Sequence, residues 1–319
     1  MQHLTAHPEG VLAIDAGHER DGQLAVHLVI HRGRAALIDT GGRDALPRIM
    51  AALQSAGVAP DCVDWVMLTH IHLDHAACAG ELLQLLPQAR LLVHPRGVRH
   101  MIDPTRMWEA NIEVYGPERV RETYGEPVPV EASRIVAGED ELRVSLGERM
   151  FRVLDTPGHT RHHIALWDEQ ARSCFVGDTF GVSYRELDVD GRAFVFPSTM
   201  PSEFDPEALH ASIDRIVALR PEAVYLGHFS RVTGVGRLAA DLHRLIDAHV
   251  AVARAAHGEG VARHVEILAG LEQIVSDEVA RQGMHLPESE VIELLRMDLG
   301  MNAQGLGMWL DAQAETVPA

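Results

Sequence analysis

The sequence predicts an α+β chain that ends in an all-helical segment. Short apolar runs of strand-like composition recur through residues 1–235, and amphipathic helical stretches fall between them. Residues 236–319 instead carry helical periodicity throughout. The predicted strands also end repeatedly on a polar residue: Asp39, His70, His94, Asp155, Asp178 and His228.

Taken in order, "QLAVHLVIHRGRAALIDTGG" reads as two strands around the turn His31–Arg34, closed by Asp39-Thr40-Gly41-Gly42. "RDALPRIMAALQSAG" has a helical apolar pattern and stops at Gly57. A short strand, Asp64 to Leu68, follows, then the helix "AGELLQLLP" and the strand "ARLLVH". Residues 96–130 are polar and broken by Pro104 and Pro117, which predicts short helices over an opening, with Tyr115 and Tyr124 near it. Strands return at Met150–Leu154, His163–Trp167 and Ser173–Val176, with Tyr184 expected in the loop beyond. A helix from Pro206 to Leu219 and the strand "AVYL" complete residues 1–235. In the tail, Leu238, Leu242, Leu245, Ile246 and His249 are expected on one helix face, and Val261, Val265, Leu268, Val275 and Val279 on another. A last helical pair is read in "PESEVIELLRMDLG" and "NAQGLGMWLDA". We therefore expect a catalytic domain at 1–235 and, at 236–319, a helical appendage acting as a lid or as a contact in a homodimer.

Composition narrows the function. With 46% hydrophobic and 23% charged residues the chain is an ordinary globular protein. A formal charge of -18 argues against nucleic acid or an anionic membrane as partner, and leaves a small-molecule substrate. No basic-then-apolar leader and no long apolar run is read, and the three cysteines are scattered, so the expected location is the cytoplasm.

The chemistry is concentrated in "LTHIHLDHAAC", where His70, His72, Asp74 and His75 follow a short strand. In an extended segment successive side chains alternate, so His70, His72 and Asp74 would share one side while Ile71 and Leu73 face a core. Neutral imidazole is the commonest metal ligand near pH 7, and an adjacent carboxylate adds the negative charge a divalent ion needs. A metal site is the expectation.

HxHxDH after a strand resembles the signature of the metallo-β-lactamase superfamily. "DTPGHT" with His159, "FVGDT" with Asp178 and "YLGH" with His228 follow in the family's order. The chain looks like a hydrolase-like branch, and more loosely like glyoxalase II, from which it departs by placing His162 where that type usually has Gly. The resemblance implies a four-layer αββα sandwich with the helical segment appended, and two divalent ions at one edge of the sheets. His70, His72 and His159 would hold one ion; Asp74, His75 and His228 the other; Asp178 would bridge. Zinc is favoured on ligand type, with iron and manganese as alternatives. A hydroxide between the metals would attack an ester, thioester or lactone carbonyl, and Asp74 would orient it and assist the leaving group. Asp39, His162 and His163 are candidates for contacts behind the ligands. No separate organic cofactor is expected. The competing readings are a persulfide-dioxygenase-like oxidoreductase with one iron and a non-enzymatic metal-containing binding protein.

Overall fold

The computed structural model describes residues 3–201 and 203–316, apart from the side chains of Val114, Tyr115, Glu315 and Thr316. The first sheet comprises β1 (Leu4–His7), β2 (Val11–Asp15), β3 (Ala25–His31), β4 (Arg34–Ile38), β5 (Val63–Met67), β6 (Arg90–Val93) and β7 (Ile135–Ala137), side by side in chain order. The second comprises β8 (Arg143–Leu146), β9 (Arg149–Asp155), β10 (Ile164–Asp168), β11 (Ser173–Val182), β12 (Ala223–His228) and β13 (Ser230–Val232), in the reverse of chain order. The helices are α1 (Ala45–Ser55), α2 (Leu73–Ala76), α3 (Ala79–Leu85), α4 (Val98–Ile102), α5 (Thr105–Tyr115), α6 (Pro117–Tyr124), α7 (Pro206–Ala218), α8 (Val235–Ala255), α9 (Gly260–Gln282), α10 (Glu288–Leu294) and α11 (Arg296–Thr316).

The chain divides into two compact units. One holds the chain up to Asp155 together with His162–Gly177 and Pro221–Val232; the other holds Thr156–Arg161, Asp178–Arg220 and the chain from Thr233 on. Within the first unit, β1 to β4 pair antiparallel, and β4 to β7 pair parallel because helical crossovers separate them in sequence. Strand alternation sorts the core. Ala36 and Ile38 of β4 join Met67, Phe151, Val153, Ile164 and Phe175 between the sheets, while Ala35 and Leu37 pack with Ile49, Leu53 and Leu82 beneath the helices. Arg149 is fully buried, and its guanidinium is paired with the buried carboxylate of Asp168 on the neighbouring strand.

Several elements lie outside the sequence expectation. The edge strands β1, β7, β8 and β13 are three or four residues long, too short for a periodic signal. β11 runs on to Val182, so Asp178 lies inside a strand and does not end one. The histidine motif is not extended throughout: His72 stands at the residue just before α2, and Asp74 lies in that helix's first turn. Ile71 and Leu73 are nevertheless buried.

In the second unit α7 packs on α8, and α9 and α11 pack together. The expected face of α8 is buried as read. That of α9 is buried only at Val275: Val261 and Val265 are exposed, and the buried stripe is Ile267, Leu271, Val275 and Glu278. Glu278 can occupy it because Arg244 donates to both carboxylate oxygens, at 2.7 and 2.9 Å. Tyr184 lies in the loop after β11 as expected, but its side chain is fully buried and its hydroxyl donates to Asp298 at 3.1 Å. The Tyr115 side chain lies outside the described residues. Asn302 of α11 accepts from the Thr199 backbone N–H and donates to the Pro197 carbonyl, both at 2.7 Å. Among the described residues no helix is long and apolar enough to cross a membrane.

Candidate metal centre

In the first unit the site begins where parallel β4 and β5 end side by side. β4 delivers Asp39, whose backbone N–H donates to the Met67 carbonyl, and β5 delivers Thr69 and His70. The Asp39 carboxylate is nearly fully buried and fully engaged. It accepts from the Thr69 backbone N–H at 2.8 Å, from the Thr69 hydroxyl, and from His75 Nδ1 at 2.9 Å.

Those bonds fix tautomers. A carboxylate only accepts, so His75 carries its proton on Nδ1 and presents the Nε2 lone pair on the other side. The Thr69 hydroxyl spends its proton on Asp39, so its oxygen accepts from His70 Nδ1 at 3.1 Å, and His70 presents Nε2. That Nε2 lies 3.0 Å from His72 Nδ1. His228, the last residue of β12, donates from Nδ1 to the Gln23 carbonyl at 3.0 Å and likewise presents Nε2. Asp74 Oδ2 is 3.3 Å from His75 Nε2 and 3.4 Å from His228 Nε2. These three donors lie close enough to share one ion.

Burial pushes the Asp74 carboxyl up, but His75 and His228 outweigh it when their rings carry a second proton on the facing Nε2, a positive charge in the place an ion would take, and they hold the group well below the usual carboxylate range. His162 and His163 sit beside His70: the His163 ring is buried and stacks on His70 at 5.1 Å, and His162 stacks on His70 at 6.4 Å. Gly177, at φ 45°, makes room for this layer. A Cβ there would come within 2.6 Å of His163 Nε2 and 2.7 Å of Thr69 Oγ1.

In the second unit His159 and Asp178 are neighbours, with Nε2 and Oδ2 3.5 Å apart. His159 donates from Nδ1 to the Ser198 carbonyl at 3.1 Å, so it too presents Nε2. The turn that carries it is backed by α7. The Ser212 hydroxyl donates to the Pro157 carbonyl at 2.7 Å, and Gly158, at φ 131°, is so close to the Leu209 backbone that a Cβ would fall within 2.3 Å.

Three contributors were not legible in the sequence: Thr69, the Gln23 carbonyl and His18. Thr69 could have been suspected from its place before His70, but a backbone carbonyl leaves no mark. His18 sits in the loop between β2 and β3 and stacks on Tyr124. Burial lowers its pKa, Asp74 opposes that, and His228 adds to the lowering. With Gly17, Glu19, Asp44 and Glu122 it lines a cavity of about 250 Å³.

The profile of the Metallo-beta-lactamase superfamily matches residues 20–228. The chain belongs to that superfamily. Among curated members it is 30% identical over 202 residues to a hydroxyacylglutathione hydrolase of Xanthomonas euvesicatoria, covering 63% of this chain and 58% of that protein. It is 26% identical over 178 residues to the metallo-beta-lactamase fold-containing protein ST1585 of Sulfurisphaera tokodaii, covering 53% and 61% respectively. The chain thus spans about three fifths of the length of these relatives. The crystal structure of the Sulfolobus tokodaii protein ST1585 superposes with a TM-score of 0.65 at 21% identity, over 94% of this chain and 99% of that one. The metallo-beta-lactamase family protein TTHA1429 of Thermus thermophilus gives 0.63 at 20%, over 96% and 94%. The superfamily's α+β sandwich, here with a C-terminal helical segment, is the fold of this chain.

Proposed function

We propose that this superfamily member is a metal-dependent hydrolase in which His70, His72 and His159 would hold one divalent ion and Asp74, His75 and His228 a second, with Asp178 as a further ligand. The observation that carries the reading is the preparation of the histidines. His70, His75, His159 and His228 each commit Nδ1 to an oxygen acceptor and turn Nε2 the other way, the tautomer a ligand needs. Imidazoles so fixed, together with carboxylates such as Asp74 and Asp178, suit a borderline divalent ion; zinc leads, with iron and manganese as competitors.

When bound, two such ions supply Lewis acidity to a carbonyl oxygen and lower the pKa of a water to about 7. The chain's own part is to hold the ligands and manage protons. Asp39 holds His75 directly and His70 through Thr69. Asp74, kept ionised by the two imidazoles it faces, can accept a proton from the attacking water and return it to the leaving group. The substrate is a small molecule with an ester, thioester or lactone carbonyl; the hydroxyacylglutathione hydrolases among the relatives favour acyl transfer to water.

The test is elemental analysis of protein purified without a metal-binding tag, followed by a panel of the three carbonyl classes with Asp74→Ala as control. About two zinc ions per chain and hydrolysis abolished in the variant are expected. One iron per chain with no hydrolysis would overturn the proposal.

A further inference from the structure

A second group of metal-ligating side chains lies between α7 and α8 and shares no residue with the proposed centre. Each helix carries the same four-residue spacing, His210 with Asp214 on α7 and His243 with Asp247 on α8, which puts each pair on one helix face. The two pairs are crossed. His210 Nε2 lies 3.2 Å from Asp247 Oδ1, and His243 Nε2 lies 3.0 Å from Asp214 Oδ1. The ring planes are 21° apart with centroids 4.8 Å apart, and their Nδ1 atoms face each other at 2.5 Å.

The crossing decides the chemistry. A carboxylate can only accept, so each imidazole places a proton on Nε2, and the neutral ring then has its lone pair on Nδ1. Two lone pairs then point at each other across a gap that only a positive charge can fill. We infer that His210 and His243 form a second metal site, taking one borderline divalent cation such as zinc, nickel or copper through their two Nδ1 atoms. Asp247 and Asp214 stand behind the imidazoles, as carboxylates commonly stand behind metal-bound histidines, and orient the rings. Zinc–nitrogen bonds of about 2.0–2.1 Å in tetrahedral array put the nitrogens roughly 3.3 Å apart. The rings must therefore part by a little under an ångström, and with about a quarter of each side chain exposed they have room to do so and to admit water as the remaining ligands.

The ion would clamp α7 to α8. α7 also backs the turn Pro157-Gly158-His159 through Ser212 and Leu209, so the clamp would steady the helix behind a proposed ligand of the main centre.

The test does not pass through hydrolysis. The full chain is saturated with zinc, passed through gel filtration, and its metal counted beside His210→Ala and His243→Ala. Each variant should carry one ion fewer per chain than the parent, and the double variant no fewer than either single one. Unchanged counts in both single variants overturn the site. On the unaltered chain, diethyl pyrocarbonate labelling mapped by mass spectrometry gives an answer independent of variant folding. Zinc at about 100 times its dissociation constant should slow modification of His210 and His243 together by up to about 100-fold. Labelling of the pair that ignores zinc would mean a shared proton fills the gap, and the proposal falls.

Discussion

Asp39 Oδ2 accepts a hydrogen bond from His75 Nδ1 at 2.9 Å, and both side chains are shut off from water. The same carboxylate takes the Thr69 hydroxyl, which in turn accepts from His70. One buried group therefore orients two imidazoles on opposite sides of the motif. Loss of such a group behind a metal ligand typically costs about 10–100-fold in metal affinity. Asp39→Ala should fall in that range in a competition titration against a coloured chelator, and Asp39→Asn, which keeps one acceptor, should lose less. Equal affinity in all three proteins would show that Asp39 only closes its own turn.

Removing the metal should also cost stability. An ion at about 100 times its dissociation constant adds roughly 2.7 kcal/mol to the folded state. Dialysis against a chelator should lower the melting temperature, and added zinc should restore it. Asp74→Ala should show a smaller difference between the two states, because it removes a donor shared by the His75 and His228 side of the site. A melting temperature indifferent to chelator would count against any resident ion.

The motif residues and the strands that carry them were legible because both signals are local. HxHxDH is written in six consecutive positions, and β3, β4, β5, β6 and β12 are apolar runs bounded by turns. What was hidden depends on partners distant in sequence. The place of Thr69 between Asp39 and His70 follows from the pairing of β4 with β5, and the role of the Gln23 carbonyl follows from contact with a residue 205 positions away. The buried face of α9 was misread for the same reason. Glu278 looks like a solvent position until Arg244, on another helix, reaches it. A one-position error of this kind rotates the inferred stripe by about 100°.

Gly177 offers a test of how tightly the layer behind the proposed ligands is packed. Alanine there meets His163 Nε2 and Thr69 Oγ1 inside 3 Å, at a φ of 45° that L-residues disfavour. Strain of this sort costs about 1–3 kcal/mol. Gly177→Ala should therefore lower the denaturation midpoint, and metal affinity should fall with it, since Thr69 holds His70. A destabilised variant with parental metal affinity would separate packing from ligand placement.

The last prediction concerns pH. His249 is fully buried in α8 against Phe196, donates from Nδ1 to the Leu245 carbonyl at 2.7 Å, and has no partner for Nε2 among the described residues. Burial pushes its pKa down to about 4 from 6.5, with the carbonyl bond opposing. A depressed histidine means the unfolded chain binds the proton more readily. The neutral ring's contribution is therefore intact above pH 6.5 and lost as pH falls from there toward 4. At about 1.4 kcal/mol per unit, that gap corresponds to roughly 3 kcal/mol. His27 is also buried, and its pKa is pushed lower still, to about 3, first by burial and then by the charges of His7 and His75; its contribution keeps part of the acid slope in any His249 variant. Urea midpoints taken between pH 7 and 4 should drop steeply in the parent and less steeply in His249→Leu. Parallel slopes would show that His249 already carries its proton, or finds a partner for it, in the folded chain.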